Sequence, residues 1–228
     1  MKKRREYVAV LAFLAAIIGI SGCSRQKEEK LTKYDTQFFE LFDTVTSVTG
    51  YARDEKTFQS YVDVFYDELK EYHQLYDIYN DYEGINNIKT INDHAGIEPV
   101  EVDDKIIQML EEAVDIYELT DGNMNVAMGS VLSIWHEYRE AGLKHPEQAQ
   151  LPPQEELEEA AKHMDIRKMV IDPEKKTVYL EDPDMSLDVG AIAKGYAAEM
   201  ASRKVEEAGL KHALISVGGN IRCIGTKP

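Results

Sequence analysis

Residues 187–196 bring an acidic side chain, several small residues and a lysine to the place where a strand is expected to give way to a helix. The first amides of a helix lack partners within it and carry roughly half a positive charge, which favours anions. Gly190 and Ala191 would let a ligand approach the backbone, and Lys194 would add a full positive charge. Asp188 could cap the helix or accept hydrogen bonds from a ribose or a base. The segment predicts either an anion site or a capped helix with a surface lysine, since it is neither a three-glycine dinucleotide fingerprint nor a P-loop.

Two other segments place small or amide side chains at turns. Residues 218–220, Gly-Gly-Asn, separate two apolar runs and predict a tight hairpin turn that needs positive φ. Their bare backbone could also lie against a flat ring or a phosphate. Residues 123–125, Asn-Met-Asn, come before a helix, where amide side chains either cap the helix or bond the edge of a ring. Both segments have a structural and a ligand-binding interpretation.

The elements that must position these segments mix helices and strands in blocks along the chain. Apolar residues at three- and four-residue steps predict a helix wherever they persist over several turns. The helix that carries Trp135 is expected to be buried. The predicted helices cover residues 56–79, 103–119, 126–138, 155–163 and 191–208.

Strands are predicted by runs rich in β-branched and aromatic residues that end at glycine, proline or asparagine. Two of the runs, joined by the polar residues 172–176, predict a hairpin. Blocks of this kind are typical of an α+β fold, so we expect a largely antiparallel sheet with packed helices. The predicted strands cover residues 38–51, 169–171, 177–180, 186–189, 213–217 and 221–224.

The first residues have the layout of a bacterial export signal. A basic start at residues 2–5 precedes an apolar run at 8–20, which is shorter than the ~20 apolar residues that span a membrane. The run ends in Ile-Ser-Gly-Cys, which resembles a lipobox, where the cysteine receives diacylglycerol and the chain is cut before it. We expect residues 1–22 to be a signal peptide, Cys23 to anchor the protein to the outer side of the cell membrane, and residues 23–37 to be a tether. An ordinary secretory signal or an uncleaved anchor helix are the alternatives.

The overall composition narrows the classes of partner. A formal net charge of -16 gives an acidic surface, which repels phosphate backbones and argues against nucleic acid. The same charge does not favour lying flat on anionic lipid, so the lipid would have to hold the protein at the membrane. The two cysteines, Cys23 and Cys223, are too few for a disulfide framework. We expect Cys223 to be a buried thiol.

Five segments, in this order along the chain, together resemble the ApbE family of FAD:protein FMN transferases. Many members of that family are bacterial lipoproteins, which agrees with the lipobox. The resemblance covers nearly all of residues 38–226. The five segments are residues 42–46, Tyr79 with the Asn-rich loop after it, 123–125 before Trp135, 187–196 and 217–222.

The resemblance implies the position of a flavin site. The backbone oxygen of Ala191 matches a contact to Mg²⁺. Phe42 and Asp43 stand where the family usually has Met and Gly, so these two positions depart from its pattern. Family members usually continue well past residues 218–220 with further metal ligands, and we therefore expect residues 38–228 to be the N-terminal, incomplete part of an FMN transferase domain. The positions that match cofactor contacts are Phe42, Tyr79, Asn123, Met124, Asn125, Asp188, Lys194, Gly218, Gly219 and Asn220.

The activity that the resemblance implies is Mg²⁺-dependent transfer of FMN from FAD to a Thr hydroxyl of an exported or membrane flavoprotein, with release of AMP. Such chemistry depends mainly on neutralising charge and on in-line positioning. The nucleophile would belong to the acceptor, which agrees with a sequence that offers no Ser-His-Asp set and no assignable catalytic residue. The alternatives are an FAD pyrophosphatase giving FMN and AMP, and a flavin-binding lipoprotein without turnover.

Overall fold

A four-stranded sheet forms one layer of the protein in the computed structural model, which describes residues 30–228. The predicted signal peptide and Cys23 lie outside the described residues. All pairings in the sheet are antiparallel, as the α+β prediction requires. In spatial order the strands are β1 (Thr32–Phe38), β2 (Thr46–Ala52), β6 (Ala213–Val217) and β7 (Asn220–Ile224).

The sheet begins earlier in the chain than the sequence predicted. β1 pairs with β2 over its whole length, from Thr32 opposite Ala52 to Phe38 opposite Thr46. Residues 32–37, which were expected to belong to the tether, are therefore part of the sheet. The single strand predicted at 38–51 is also wrong, because a loop separates β1 from β2. β1 is an edge strand with one face in solvent, and such a strand carries many polar residues.

Helices cover the inner face of this sheet. α1 and α6 pack against each other, and both contact strands of the sheet. Since the sheet is hydrophobic on one face only, this packing gives the two layers of the domain. The helices are α1 (Glu55–Leu75), α2 (Ile88–Asp93), α3 (Asp104–Leu119), α4 (Gly129–Lys144), α5 (Gln154–Ala160) and α6 (Ala193–Glu207).

α1 is the central helix because its apolar side chains recur at three- and four-residue steps and form one buried stripe. The Asp54 carboxylate begins the helix by accepting a hydrogen bond from Thr57 N at 2.7 Å, a typical N-cap. The helix ends four residues before Tyr79, the end that the sequence predicted, so Tyr79 lies in the following loop. The buried residues of the stripe are Phe58, Val62, Phe65, Leu69, Tyr72 and Leu75.

A second, three-stranded sheet contains β3 (Val100–Glu101), β5 (Thr177–Leu180) and β4 (Met169–Asp172), in that spatial order. β4 and β5 form the predicted hairpin. β3 was not predicted from the sequence because it is only two residues long and lacks an apolar run.

Two burial predictions are wrong. α4 is largely exposed: Gly129 is its one buried residue and the Trp135 side chain is 40% exposed. Cys223 is exposed as well, because it alternates with the buried Ile224 on the edge strand β7 and so faces away from the core. Within residues 30–228, no helix combines the length and the apolar character needed to cross a bilayer.

Candidate functional site

A cavity of about 340 Å³ opens where the start of α6, the loop after α1 and the turn at residues 42–44 meet. Its volume is at the lower end of the range of about 300–1,000 Å³ for small-molecule sites. Four of the residues that match cofactor contacts line it, namely Phe42, Tyr79, Asp188 and Lys194. They come from distant parts of the chain, and the fold brings them to one place.

α6, on one side of the cavity, begins at Ala193 and not at residue 191 as predicted. Residues 190–192 form a turn instead. The Val189 carbonyl closes this turn by accepting from the amides of Ile192 at 3.0 Å and Ala193 at 2.8 Å. No side chain accepts a hydrogen bond at the N-cap, Ile192. The first turn of α6 is therefore left without a side-chain cap.

Three backbone amides at this place, those of Ala191, Lys194 and Gly195, donate to no acceptor within residues 30–228. The Lys194 side chain is half-buried, lines the cavity and forms no salt bridge or hydrogen bond with any described residue. Unpaired amides at a helix start and an unpaired ammonium group both attract negative charge. This arrangement fits the anion-site interpretation better than a capped helix with a surface lysine.

The segment that leads into this turn, residues 186–189, is not the strand that the sequence predicted. The side-chain amide of Asn92 takes the place of a neighbouring strand. Its Oδ1 accepts from Leu187 N at 2.7 Å and its Nδ2 donates to the Leu187 carbonyl at 3.0 Å. Asp188 Oδ1 then accepts from Gly190 N at 2.8 Å, so Asp188 caps the turn before α6. Its Oδ2 has no partner among the described residues and remains available to a ligand.

The turn at Phe42 and Asp43 forms a second wall of the cavity. Both residues are in the left-handed region, with φ of 55° and 49°, which glycine adopts most easily and Asp tolerates better than most residues. The Phe42 amide donates to His73 Nδ1 at 3.3 Å, and the two rings meet edge to face with centroids 5.4 Å apart. His73 also lines the cavity, although the sequence did not single it out.

The loop that carries Tyr79 is folded around the Asp77 carboxylate. Asp77 Oδ1 accepts from the amides of Tyr79 at 2.7 Å and Asn80 at 3.1 Å. Burial raises the pKa of Asp77, but the hydrogen bonds from Asn80, Tyr79 and Tyr82 outweigh it and hold the pKa below its usual value. Asp77 is therefore charged at neutral pH and fixes this loop as an anion.

Tyr79 itself projects from the loop with 62% of its surface exposed. Its hydroxyl lies 2.8 Å from Nδ1 of His136, a residue of α4 that also lines the cavity. Partial burial of Tyr79, followed by the nearby charge of Asp188, raises the pKa of its hydroxyl. An exposed, neutral aromatic side chain of this kind offers a flat face to a ring.

The turn at residues 218–220 lies beside the cavity without lining it. Gly218 and Gly219 have φ of 55° and 92°, as predicted for a two-residue hairpin loop. A Cβ on Gly218 would lie 2.7 Å from Thr44 Oγ1, and one on Gly195 would lie 3.4 Å from Asn220 Oδ1. The turn therefore lies against both the 42–44 turn and the start of α6, which it meets through Asn220 beside Gly195.

The segment at residues 123–125 lies away from this cavity. Asn125 Oδ1 accepts from Ala127 N at 2.9 Å and its Nδ2 donates to the Met164 carbonyl at 2.9 Å. Asn123 Nδ2 donates to the Thr120 carbonyl at 2.7 Å. These contacts satisfy the helix-capping interpretation, and a cofactor contact from Asn123, Met124 or Asn125 stays a prediction.

A cluster of His163, Asp182 and Asp184 places its ligand atoms within 4.8 Å of one another. The Asp182 carboxylate is already used, since it accepts from Lys168 Nζ at 2.7 Å and from His163 Nδ1 at 3.0 Å. Lys168 supplies the positive charge that a metal ion would bring. None of the three residues lines the cavity, and we interpret the cluster as structural.

Comparison with known proteins decides the family. The model of the ApbE family matches residues 42–228, which is most of the chain. The chain belongs to the ApbE family. Among its curated relatives, the FAD:protein FMN transferase of Vibrio cholerae is 25% identical over 94% of this chain, and that of Treponema pallidum is 32% identical over 61%. The chain spans 60% and 38% of the length of these two relatives.

Solved ApbE structures have the same fold. The ApbE protein of Thermotoga maritima gives a TM-score of 0.71 at 26% identity, over 86% of this chain and 60% of that one. The flavin transferase ApbE of Vibrio cholerae gives 0.68 at 20% identity, over 86% and 61%. The architecture described above is therefore that of ApbE proteins.

The resemblance implies glycine at position 43, and the φ of 49° at Asp43 is one that glycine adopts without strain. The residues that sequence reasoning missed are His73, Asp77 and His136. His73 lies in the last turn of α1 and Asp77 follows shortly after the helix ends, so a cavity at the end of that helix is the signal that could have found them.

Proposed function

We propose that this chain binds FAD in the cavity and transfers its FMN half to a Thr hydroxyl of an acceptor flavoprotein, releasing AMP. The observation that carries the proposal is the half-buried Lys194, unpaired beside unpaired amides at the start of α6. The names of the curated relatives support the reaction. These relatives are longer than this chain, which spans 60% and 38% of their length.

Different residues of the cavity would bind different parts of the cofactor. Lys194 and the amides of Ala191, Lys194 and Gly195 would bind the diphosphate, because charge-assisted hydrogen bonds to phosphate are the strongest available there. Tyr79, with its exposed ring, and Phe42 would flank the flavin ring. The free Oδ2 of Asp188 would accept a hydrogen bond from a hydroxyl of the bound nucleotide.

We also propose that the reaction depends on Mg²⁺. The Ala191 carbonyl accepts no hydrogen bond within residues 30–228, and carbonyl oxygens suit this ion. Mg²⁺ usually keeps several waters and binds substrate phosphates, so one protein carbonyl can be part of its shell. When bound, the ion would neutralise charge on the diphosphate. Ala191 lies at the amides assigned to the diphosphate, so its carbonyl is placed to bind an ion that also binds the diphosphate.

The transfer would conserve every atom of its reactants. The oxygen of the acceptor Thr forms a bond to the phosphorus on the FMN side, and the bond from that phosphorus to the oxygen shared with AMP breaks. AMP leaves with the electron pair, and the Thr proton is released. The chain contributes positioning and positive charge to this in-line displacement.

We also propose where in the cell the protein acts. We place it outside the cytoplasm, held at the cell membrane by lipid on Cys23, with an exported or membrane flavoprotein subunit as its acceptor. The support is the lipobox-like sequence after a basic and apolar leader. Two acyl chains hold a protein at a membrane far more firmly than one.

Incubation of the chain with FAD, Mg²⁺ and an acceptor that contains the target Thr tests the proposal. The expected result is an acceptor heavier by one FMN less one water, together with one AMP per modified acceptor. The matched control is the same acceptor with Thr→Val. Free FMN without modified acceptor would indicate a pyrophosphatase, and bound but unchanged FAD would indicate a binding protein.

A further inference from the structure

His73, in the last turn of α1, connects two walls of the cavity that have no other described side-chain link. On one side its Nδ1 accepts from the Phe42 amide at 3.3 Å. On the other, its Nε2 lies 3.5 Å from the Tyr82 hydroxyl, the longest link of the series, with ring centroids 6.3 Å apart. Tyr82 then donates to Asp77 Oδ2 at 2.8 Å. Asp77 in turn holds the amide of Tyr79.

The donors and acceptors of this series fix one protonation state. Since Nδ1 accepts from a backbone N–H, it carries no proton, and the ring proton of neutral histidine is then on Nε2. Nε2–H donates to the Tyr82 oxygen, and the Tyr82 hydroxyl donates to the Asp77 carboxylate. The Phe42 amide, His73 and Tyr82 each donate once in the same direction, and the Asp77 carboxylate accepts both from Tyr82 and from the Tyr79 amide. Burial, the hydrogen bond to Asp77 and the charges of Asp77 and Asp43 raise the pKa of Tyr82 to about 12, so Tyr82 keeps the hydroxyl proton that the series needs.

This series of hydrogen bonds matters for the cavity because the two segments that it joins are strained or exposed. Phe42 and Asp43 occupy the left-handed region, where residues other than glycine cost free energy. Tyr79 is 62% exposed and has little packing of its own. Because a helix is rigid, hydrogen bonds from it can hold the Phe42–Asp43 turn and the Tyr79 loop in one conformation.

We propose that His73, in the neutral form with its proton on Nε2, is a positioning residue that sets the distance between the Phe42–Asp43 turn and the Tyr79 loop. It acts through Phe42 on one side and through Tyr82 and Asp77 on the other. The consequence for binding rests on the proposed function, in which Phe42 and Tyr79 flank the flavin. The tautomer and the two hydrogen bonds do not depend on it.

The first test uses the ligand-free chain. Ring-nitrogen chemical shifts of isotope-labelled protein report which nitrogen of His73 carries the proton. We expect Nε2 to be protonated and Nδ1 to be bare. A proton on Nδ1 would overturn the proposal whether or not the chain binds FAD.

The second test measures FAD affinity through flavin fluorescence in four variants. His73→Phe keeps a ring and loses both polar atoms, and we expect about tenfold weaker binding from the loss of one or two hydrogen bonds. His73→Asn keeps an acceptor near the Nδ1 position, and it should restore part of the affinity. Tyr82→Phe removes one hydroxyl from a residue that does not line the cavity, and it should weaken binding as well. The matched control, His145→Phe, replaces a histidine whose side chain is 66% exposed elsewhere, and it should bind as the unchanged chain does.

The outcomes separate the two proposals. If the unchanged chain binds no FAD, the proposed function fails and the tautomer measurement alone decides this inference. If the unchanged chain binds FAD and both His73→Phe and Tyr82→Phe bind it equally well, the inference fails and the function stands. Should His73→Phe not fold, Tyr82→Phe and His73→Asn carry the same comparison.

Discussion

At the scale of single residues, the site depends most on Lys194. Its half-buried ammonium group has no partner among the described residues, although the protein carries 42 acidic side chains against 26 basic ones. Salt bridges take up many of the other lysines, among them Lys105 and Lys168. A lysine left unpaired in so acidic a chain, beside unpaired amides, is suited to an external anion.

Lys194→Ala should weaken FAD binding roughly tenfold or more, because hydrogen bonds to charged groups contribute more than neutral ones. Riboflavin, which has no phosphate, should bind equally well to the variant and the unchanged chain. Isothermal titration with both ligands measures the difference. Lys204→Ala, at the exposed end of the same helix, is the control and should change neither affinity. Equal losses for FAD and riboflavin would contradict the assignment of Lys194 to phosphate.

Sequence reasoning found those site residues that belong to local patterns. Asp188 and Lys194 lie in a segment whose small residues and following helix are visible in the sequence. His73 and Asp77 were missed because their role depends on partners 31 residues away and in the following loop. Asn123 and Asn125 are of a residue type that is common in ligand-binding loops, but their side-chain amides form hydrogen bonds with the nearby backbone.

At the scale of elements, the hairpin turn between β6 and β7 supports the site from outside the cavity. Gly218 and Gly219 both have positive φ, but only one of them is crowded. A Cβ on Gly218 would lie within 2.9 Å of two Thr44 atoms, whereas one on Gly219 would meet nothing within 4 Å. The two positions separate the effect of φ from the effect of contact with the 42–44 turn.

Gly219→Ala should lower the free energy of unfolding by about 1 kcal/mol, from backbone strain alone. Gly218→Ala should cost clearly more and should also weaken FAD binding, since Thr44 must move and the Phe42–Asp43 turn with it. Urea denaturation and flavin fluorescence measure the two effects. Equal stability losses in both variants, with FAD affinity unchanged, would contradict the proposed contact.

The β4–β5 hairpin is held at its open end by the Asp182 carboxylate, whose side chain is only 8% exposed. The hydrogen bond that it accepts from Lys168 is the main cause that lowers the pKa of Asp182 from 3.8 to about 2, although burial acts in the opposite direction and raises it. A carboxyl with a lowered folded pKa stabilises the fold above its unfolded pKa. That stabilisation is lost as the pH falls through the folded value.

Asp182→Asn should therefore lower Tm by several degrees at neutral pH, since it removes a charged hydrogen bond of about 1–3 kcal/mol. The difference in Tm from the unchanged chain should shrink as the pH falls below about 4 and approach zero near pH 2. Thermal melts across this range are the measurement. Asp184→Asn, 73% exposed at the same cluster, should show little effect. A difference that stays constant with pH would refute the role of the Asp182 charge.

Elements with long, regular patterns were predicted from the sequence, and those defined by distant partners were not. The α1 stripe and the β4–β5 hairpin follow from local periodicity. Residues 186–189 have the apolar pattern of a strand, but Asn92 from α2 binds their backbone in place of one. β1 has a charged sequence, and its pairing with β2 alone makes it a strand.

At the scale of the whole molecule, we propose that a lipid on Cys23 attaches this acidic protein to the membrane. A net charge of -16 gives no attraction to anionic lipid headgroups. The first described strand begins at Thr32, so the segment from Cys23 to the folded domain is shorter than the sequence predicted. The proposed anchor would keep the cavity close to the membrane surface, where the proposed membrane-bound acceptor would also lie.

Cys23→Ser should release the protein from the membrane fraction of cells, because no thiol would remain at the lipobox position. Fractionation followed by immunoblotting measures this, and labelled palmitate should appear only in the unchanged protein. Cys223→Ser is the control and should stay in the membrane fraction. Membrane retention of the Cys23 variant would show that another segment anchors the chain.

The proposed function requires that the amides of Ala191, Lys194 and Gly195 bind a diphosphate. The most direct measurement follows the backbone amide chemical shifts of these three residues as FAD or riboflavin is added. We expect large shifts with FAD and almost none with riboflavin, while the Tyr79 region responds to both. Saturating FAD that leaves these three amides unchanged would contradict the proposed function.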